Sequence, residues 1–114
     1  MTATAYKIIR LDYKYDRSRL DEEHMLALAA IETEYQANCK PIQAAYRARF
    51  RSLGETLETT TEAEYEAQVE ASLNLRNETL APITTAYAQS VYAIDTAYFA
   101  SVRALSTRFN GKGL

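Results

Sequence analysis

Ile83-Thr-Thr-Ala-Tyr87-Ala-Gln-Ser-Val91-Tyr-Ala runs directly into Ile94-Asp-Thr-Ala-Tyr98-Phe-Ala-Ser-Val102-Arg-Ala, and then into Leu105-Ser-Thr-Arg-Phe109. The same unit stands in the first half as Ile31-Glu-Thr-Glu-Tyr35-Gln-Ala-Asn-Cys39 and Ile42-Gln-Ala-Ala-Tyr46-Arg-Ala-Arg-Phe50. Its period of eleven residues equals three helical turns at about 3.67 residues per turn, close to a straight α-helix. A repeat of this kind holds one apolar stripe on one helix face over many turns. It specifies long helices that need something to pack against. It does not specify a reaction.

On a helical wheel the first, fifth and ninth positions share that face. They hold Ile83, Ile94 and Leu105, then Tyr87, Tyr98 and Phe109, then Leu80, Val91 and Val102. Small residues flank them: Ala45, Ala86, Ala97, Ser90 and Ser101. Small flanks permit close helix approach, and each tyrosine ring buries apolar area while its hydroxyl reaches a partner or water. Such a stripe reads as packing, not as a ligand box.

The chain has 114 residues, one domain's worth, with a formal charge of −2 and a pI near 5.4. That balance gives no global attraction to nucleic acid or an anionic membrane. Hydrophobic residues make up 47%, but much of this is Ala and Tyr, so the apolar surface is broad and shallow. Three Gly and two Pro are too few for a linker-rich or disordered chain. A single cysteine, Cys39, excludes an internal disulfide framework. No N-terminal run is long or apolar enough for a signal peptide or a membrane span. The expectation is a soluble protein of cytoplasmic synthesis, with signal-less secretion or packaging in a virion left open.

Ser18, followed by Asp21, Glu22 and Glu23, reads as a helix start with acids in its first turn. The repeat then holds phase through Leu20, Ile31, Ile42 and Leu53, and Gly54 reads as a stop. Thr59-Thr-Thr61 before Glu62 and Glu64 offers two overlapping capping boxes, and Asn110-Gly111 an end. The phase breaks once, between Leu53 and Thr61, so one turn joins two helices. The expected fold is all-α: a long antiparallel helical hairpin with helices at about 20–53 and 61–110, a turn at 54–60 and a tail at 111–114. The phase passes unslipped through Pro41 and Pro82, which therefore read as kinks and not as breaks giving four shorter helices.

The first residues read differently. Ile9, Leu11, Tyr13 and Tyr15 alternate with Arg10, Asp12, Lys14 and Asp16. That period of two, with high β-propensity, favours a strand over 5–15 within an N-terminal docking arm at 1–17, while the eleven-residue phase also extends back to Ile9 and Tyr13 and leaves a helix as the alternative. The two helices offer it no edge, so the strand would pair with another chain.

Two further expectations follow from the hairpin. Lys40, Arg47, Arg49 and Arg51 load the end of the first helix, and Glu55, Glu58, Glu62, Glu64, Glu66 and Glu70 load the turn and the start of the second, so folding should bring the blocks together. A first helix of ~50 Å and a second of ~75 Å would leave an apolar overhang beyond residue 95. Overhang and strand together give a predicted protein interface: Ile9, Leu11, Tyr13, Tyr15, Tyr87, Val91, Ile94, Tyr98, Phe99, Val102, Leu105 and Phe109.

Catalytic chemistry has little to rest on. His24 is the one histidine and occupies a tyrosine position of the repeat, which predicts a half-buried, hydrogen-bonded side chain. Asp21-Glu-Glu-His24 resembles the Glu-x-x-His element of di-iron bundles, but those need a second such element. Cys39 holds an apolar repeat position and reads as a packed thiol. No catalytic, cofactor-binding or metal residues are assigned, and the expected class is a non-enzymatic structural or assembly protein. It would act as a homo-oligomer with other proteins of a larger assembly, such as a phage tail, fibre or connector. A second reading is a small secreted adaptor. In length and central turn alone the chain resembles the WXG100 family of secreted hairpins; that family's Trp-x-Gly is not matched, since Ser52-Leu53-Gly54 has no tryptophan. A third is a lipid-surface protein, since some lipid-binding helices use eleven-residue repeats, although lysines here are few.

Overall fold

A computed structural model describes residues 2–111. Met1 and part of the expected tail, residues 112–114, lie outside the described residues. The chain forms two helices joined by one turn: α1, Ala3–Glu55, and α2, Glu62–Asn110. No strand occurs among the described residues.

The start of α1 corrects the sequence reading. The segment 5–15, expected as a β-strand docking on another chain, lies inside α1. Thr2, not Ser18, supplies the cap: its hydroxyl oxygen accepts from the Ala5 N–H at 3.0 Å. The alternation has a helical cause. Ile9 and Tyr13, four apart, are half-buried on one face, while Leu11 and Tyr15, also four apart, are exposed on another. Two helical stripes offset by two residues point nearly opposite ways and imitate a period of two.

The other boundaries fall close to expectation. Thr61 caps α2, accepting from the Glu64 N–H at 3.2 Å, and Glu62 and Glu64 lie in the first turn. Gly54 sits within the last turn of α1 and does not end it. The turn is closed by the Thr56 N–H and hydroxyl, both donating to the Leu53 carbonyl, and by Thr59 donating to Thr56. Pro41 and Pro82 lie inside α1 and α2 respectively, and neither breaks its helix.

The chain divides into two compact units. One comprises Met1–Ile31 with Gln89–Leu114, and the other is the continuous segment Glu32–Ala88. In the first, antiparallel stretches of α1 and α2 pack so that Tyr13 meets Phe109 and His24 meets Tyr98. In the second, which contains the turn, Tyr35 stacks on Tyr87 and the Arg76 guanidinium lies 4.6 Å over the Tyr46 ring. By that register Pro41 and Pro82 fall at the same level of the second unit.

In each unit the covered side chains recur three or four residues apart. On α1 they include Leu20, His24, Leu28, Ile31, Tyr35, Cys39, Ile42 and Tyr46, and on α2 Leu80, Ile83, Tyr87, Val91, Ile94, Tyr98 and Val102. Burial is nevertheless shallow. Cys39, Leu105 and Phe109 are the buried hydrophobics among the described residues, and no large side chain is fully buried. Cys39 is a free, packed thiol.

Candidate interaction surface

The first unit is keyed by a polar layer across its helix seam. His24 Nε2 lies 2.7 Å from Asp95 Oδ1, and its ring stacks on Tyr98 with centroids 4.0 Å apart. The Tyr98 hydroxyl donates to Asp21, which also accepts from Arg17 Nε at 3.1 Å. In the last turn of α2, Arg108 pairs with Asp16 at 2.6 Å. Asp21 is held below the usual carboxylate range, first by the Tyr98 hydroxyl and then by Arg17. Arg17 is raised in turn, first by its hydrogen bond to Asp21 and then by Tyr98.

The second unit repeats the device with a glutamate. The Tyr87 hydroxyl donates to Glu32 at 2.5 Å, and Gln36 Nε2 donates to the same carboxylate at 3.0 Å. Glu32 is lowered by the Tyr87 hydroxyl and then by Gln36, while Tyr87 is raised by Glu32. Asp21 and His24 thus turn to different partners, Tyr98 and Asp95, although they share a helical face. Among the described residues, no group of three His, Cys, Asp or Glu side chains is arranged to hold a metal ion.

The predicted interface residues separate into two sets. Ile9, Tyr13, Tyr87, Val91, Ile94, Tyr98 and Val102 are half-buried, and Leu105 and Phe109 are buried. These nine line helix seams of this chain. The expected overhang beyond residue 95 is therefore absent, because α1 begins at Ala3 and covers that stretch of α2. Phe109, only 3% exposed, meets Tyr13 edge-on at 5.4 Å. The remaining three face solvent: Leu11 at 64%, Tyr15 at 71% and Phe99 at 58% exposure.

Sequence reasoning missed Ile8, Met25, Leu26 and Tyr92, all large, apolar and exposed in the same unit. The signal was present. Ile8, Leu11, Tyr15 and Leu26 are spaced three, four and eleven apart, the helical period on the face of α1 away from the seam. Lys7, Arg10 and Lys14 stand beside this stripe, all exposed. It is the largest uncovered apolar set on either helix, and such sets mark interaction surfaces.

No helix among the described residues is long and apolar enough to cross a membrane. No protein-family model matches the chain, and no curated protein or solved structure matches it.

Proposed function

We propose that this chain is a non-enzymatic structural or assembly protein that works as a homo-oligomer and docks on other proteins of a larger assembly. Surface area is the supporting observation. The accessible surface is 8366 Å² for a mass of 12.9 kDa. A folded monomer of that mass exposes about 6,300 Å². The excess of about 2,000 Å² per chain exceeds the roughly 800 Å² each partner loses in a standard interface and falls in the share buried by obligate homodimers. The exposed stripe of Ile8, Leu11, Tyr15 and Leu26, with Tyr92 and Phe99 in the same unit, is where that surface is most apolar. A virion part, such as a phage tail, fibre or connector component, is the setting this reading favours, by architecture alone.

Sedimentation over a wide concentration range tests it. Association that shifts with concentration is expected. A monomer at every concentration, alone and in the native assembly, overturns the proposal.

One observation favours a second reading, lipid-surface binding. Lys7, Arg10 and Lys14 flank the exposed Ile8, Leu11 and Tyr15, the arrangement of an interfacial helix. Asp12 and Asp16 in the same stretch weaken it. Flotation with anionic vesicles separates the readings: only a lipid-binding protein rises with the vesicles.

A further inference from the structure

The second unit carries a charge pattern that its own fold leaves unused. Lys40, Arg47 and Arg51 are spaced seven and four apart, which returns each to the same side of α1. All three are exposed. Tyr46 and Phe50 join Arg47 and Arg51 around an open hollow of about 430 Å³, and Phe50 is one of the exposed large hydrophobics. On α2, Glu62, Glu66 and Glu70 follow one another at intervals of four, one ridge of the helix, and all are exposed. None of these six charged side chains makes an ion pair or hydrogen bond among the described residues.

The register explains why. Tyr46 meets Arg76 and Tyr35 meets Tyr87. Lys40 therefore sits level with Pro82, and Arg47 level with Leu75, where no acid stands; Arg51 sits level with Ala71, beside Glu70, yet makes no ion pair with it. Glu62 and Glu66 lie nearer the turn, level with the turn residues that follow the end of α1. The basic and acidic blocks meet only at the level of Arg51 and Glu70 and are otherwise displaced along the unit, and folding pairs none of them as the sequence suggested. A second unit turned end for end about a two-fold axis midway between the blocks would set each basic block against the other copy's acidic block. One rotation makes both contacts, as an isologous interface requires.

We infer that the Glu32–Ala88 unit mates with the same unit of a second copy, the Lys40/Arg47/Arg51 face of α1 against the Glu62/Glu66/Glu70 ridge of α2 in both directions. Phe50 lies beside the basic face and supplies apolar contact at its edge. This deepens the assembly reading and rests on it. Charge complementarity sets partner and orientation more than raw affinity, so the interface should be selective and salt-sensitive.

The test uses the full chain and two triple variants, K40E/R47E/R51E and E62K/E66K/E70K. Each variant alone places like charges across both contacts and should self-associate at least about tenfold more weakly than wild type. Mixed in equal amounts, the two should associate again, because every contact is then opposite in sign. Wild-type association should weaken as salt rises. Circular dichroism checks that each variant keeps its helices, and the wild-type salt titration stands independently of them. Wild-type association that ignores salt overturns the inference while leaving the assembly reading intact. So does unchanged self-association of helical variants, or failure of the helical variants to recover on mixing. A wild type that never self-associates overturns both.

Discussion

His24 and Tyr98 lie face to face across the helix seam, centroids 4.0 Å apart and ring planes within 9° of parallel. The repeat puts an aromatic at both places, and the histidine adds a hydrogen bond to Asp95 that a tyrosine in the same position would not copy. His24→Phe should keep the stack and lose that bond, whereas His24→Ala loses both. Denaturant unfolding should place His24→Phe between wild type and His24→Ala, with the alanine variant down by about 1–2 kcal/mol. Equal losses in the two variants would mean that the stack contributes nothing.

Phe109 is expected to be the most sensitive single position in the first unit. It is buried and rests on Tyr13, so Phe109→Ala removes a ring from one of the few closed sites. A loss of about 3 kcal/mol is expected from chemical denaturation, and about 2 kcal/mol for Leu105→Ala. Charged substitutions at Leu105 would unfold the seam and are not useful probes of assembly.

Removing residues 2–15 should cost more helix than the segment itself contains. Ile9 and Tyr13 cover the end of α2, and their loss exposes Leu105 and Phe109. Circular dichroism should fall by more than the deleted fraction, and amides after about residue 102 should exchange faster. A truncated chain that loses only its own share of signal would show that this seam is energetically idle. By contrast, Leu11→Glu with Tyr15→Glu should leave helicity unchanged and lower the assembly state.

Acid should destabilise both units. Asp21 and Glu32 have folded-state pKa values lowered by tyrosine hydroxyls, so their contribution is complete above the ordinary carboxylate range and is lost as pH falls through the lowered values. Tyr87 is raised, so its contribution is present below the ordinary tyrosine value and is lost as pH rises through the raised one. The Glu32–Tyr87 bond therefore fails at both ends of the pH scale. Thermal melts across pH should show shallower acid and alkaline limbs in Tyr87→Phe, and a shallower acid limb in Asp21→Asn.

Pro41→Ala and Pro82→Ala should each stabilise the second unit, by up to about 3 kcal/mol, as the missing N–H returns to the ladder. Melting temperatures check this directly. No gain would mean that the carbonyls of Ala37 and Glu78 are already satisfied by solvent.

Two helices, one turn and the covered face were legible because the eleven-residue period recurs often enough to outvote any single residue. The N-terminal segment was not. Ile9, Leu11, Tyr13 and Tyr15 belong to two helical stripes, and over so few residues two such stripes cannot be told from a strand. That one misreading carried the interface with it. A first helix starting near residue 20 leaves Val102, Leu105 and Phe109 bare, whereas one starting at Ala3 covers them and leaves Leu11, Tyr15 and Ile8 outward. The polar seam pairs were invisible for another reason: Asp95 and His24 acquire their meaning only once the register is set.

That register has a consequence of its own. Ile83, Ile94 and Leu105 are near-equivalents, as are Tyr87 and Tyr98, so the apolar seam is a ruler whose graduations all look alike. Sliding one helix past the other by a single repeat would exchange like for like and cost the hydrophobic contacts little. The zero mark comes from the short turn between Glu55 and Glu62 and from seam pairs outside the repeat, the only histidine on Asp95 and Arg108 on Asp16. Erasing both pairs should loosen the alignment of the first unit, while the turn continues to hold that of the second.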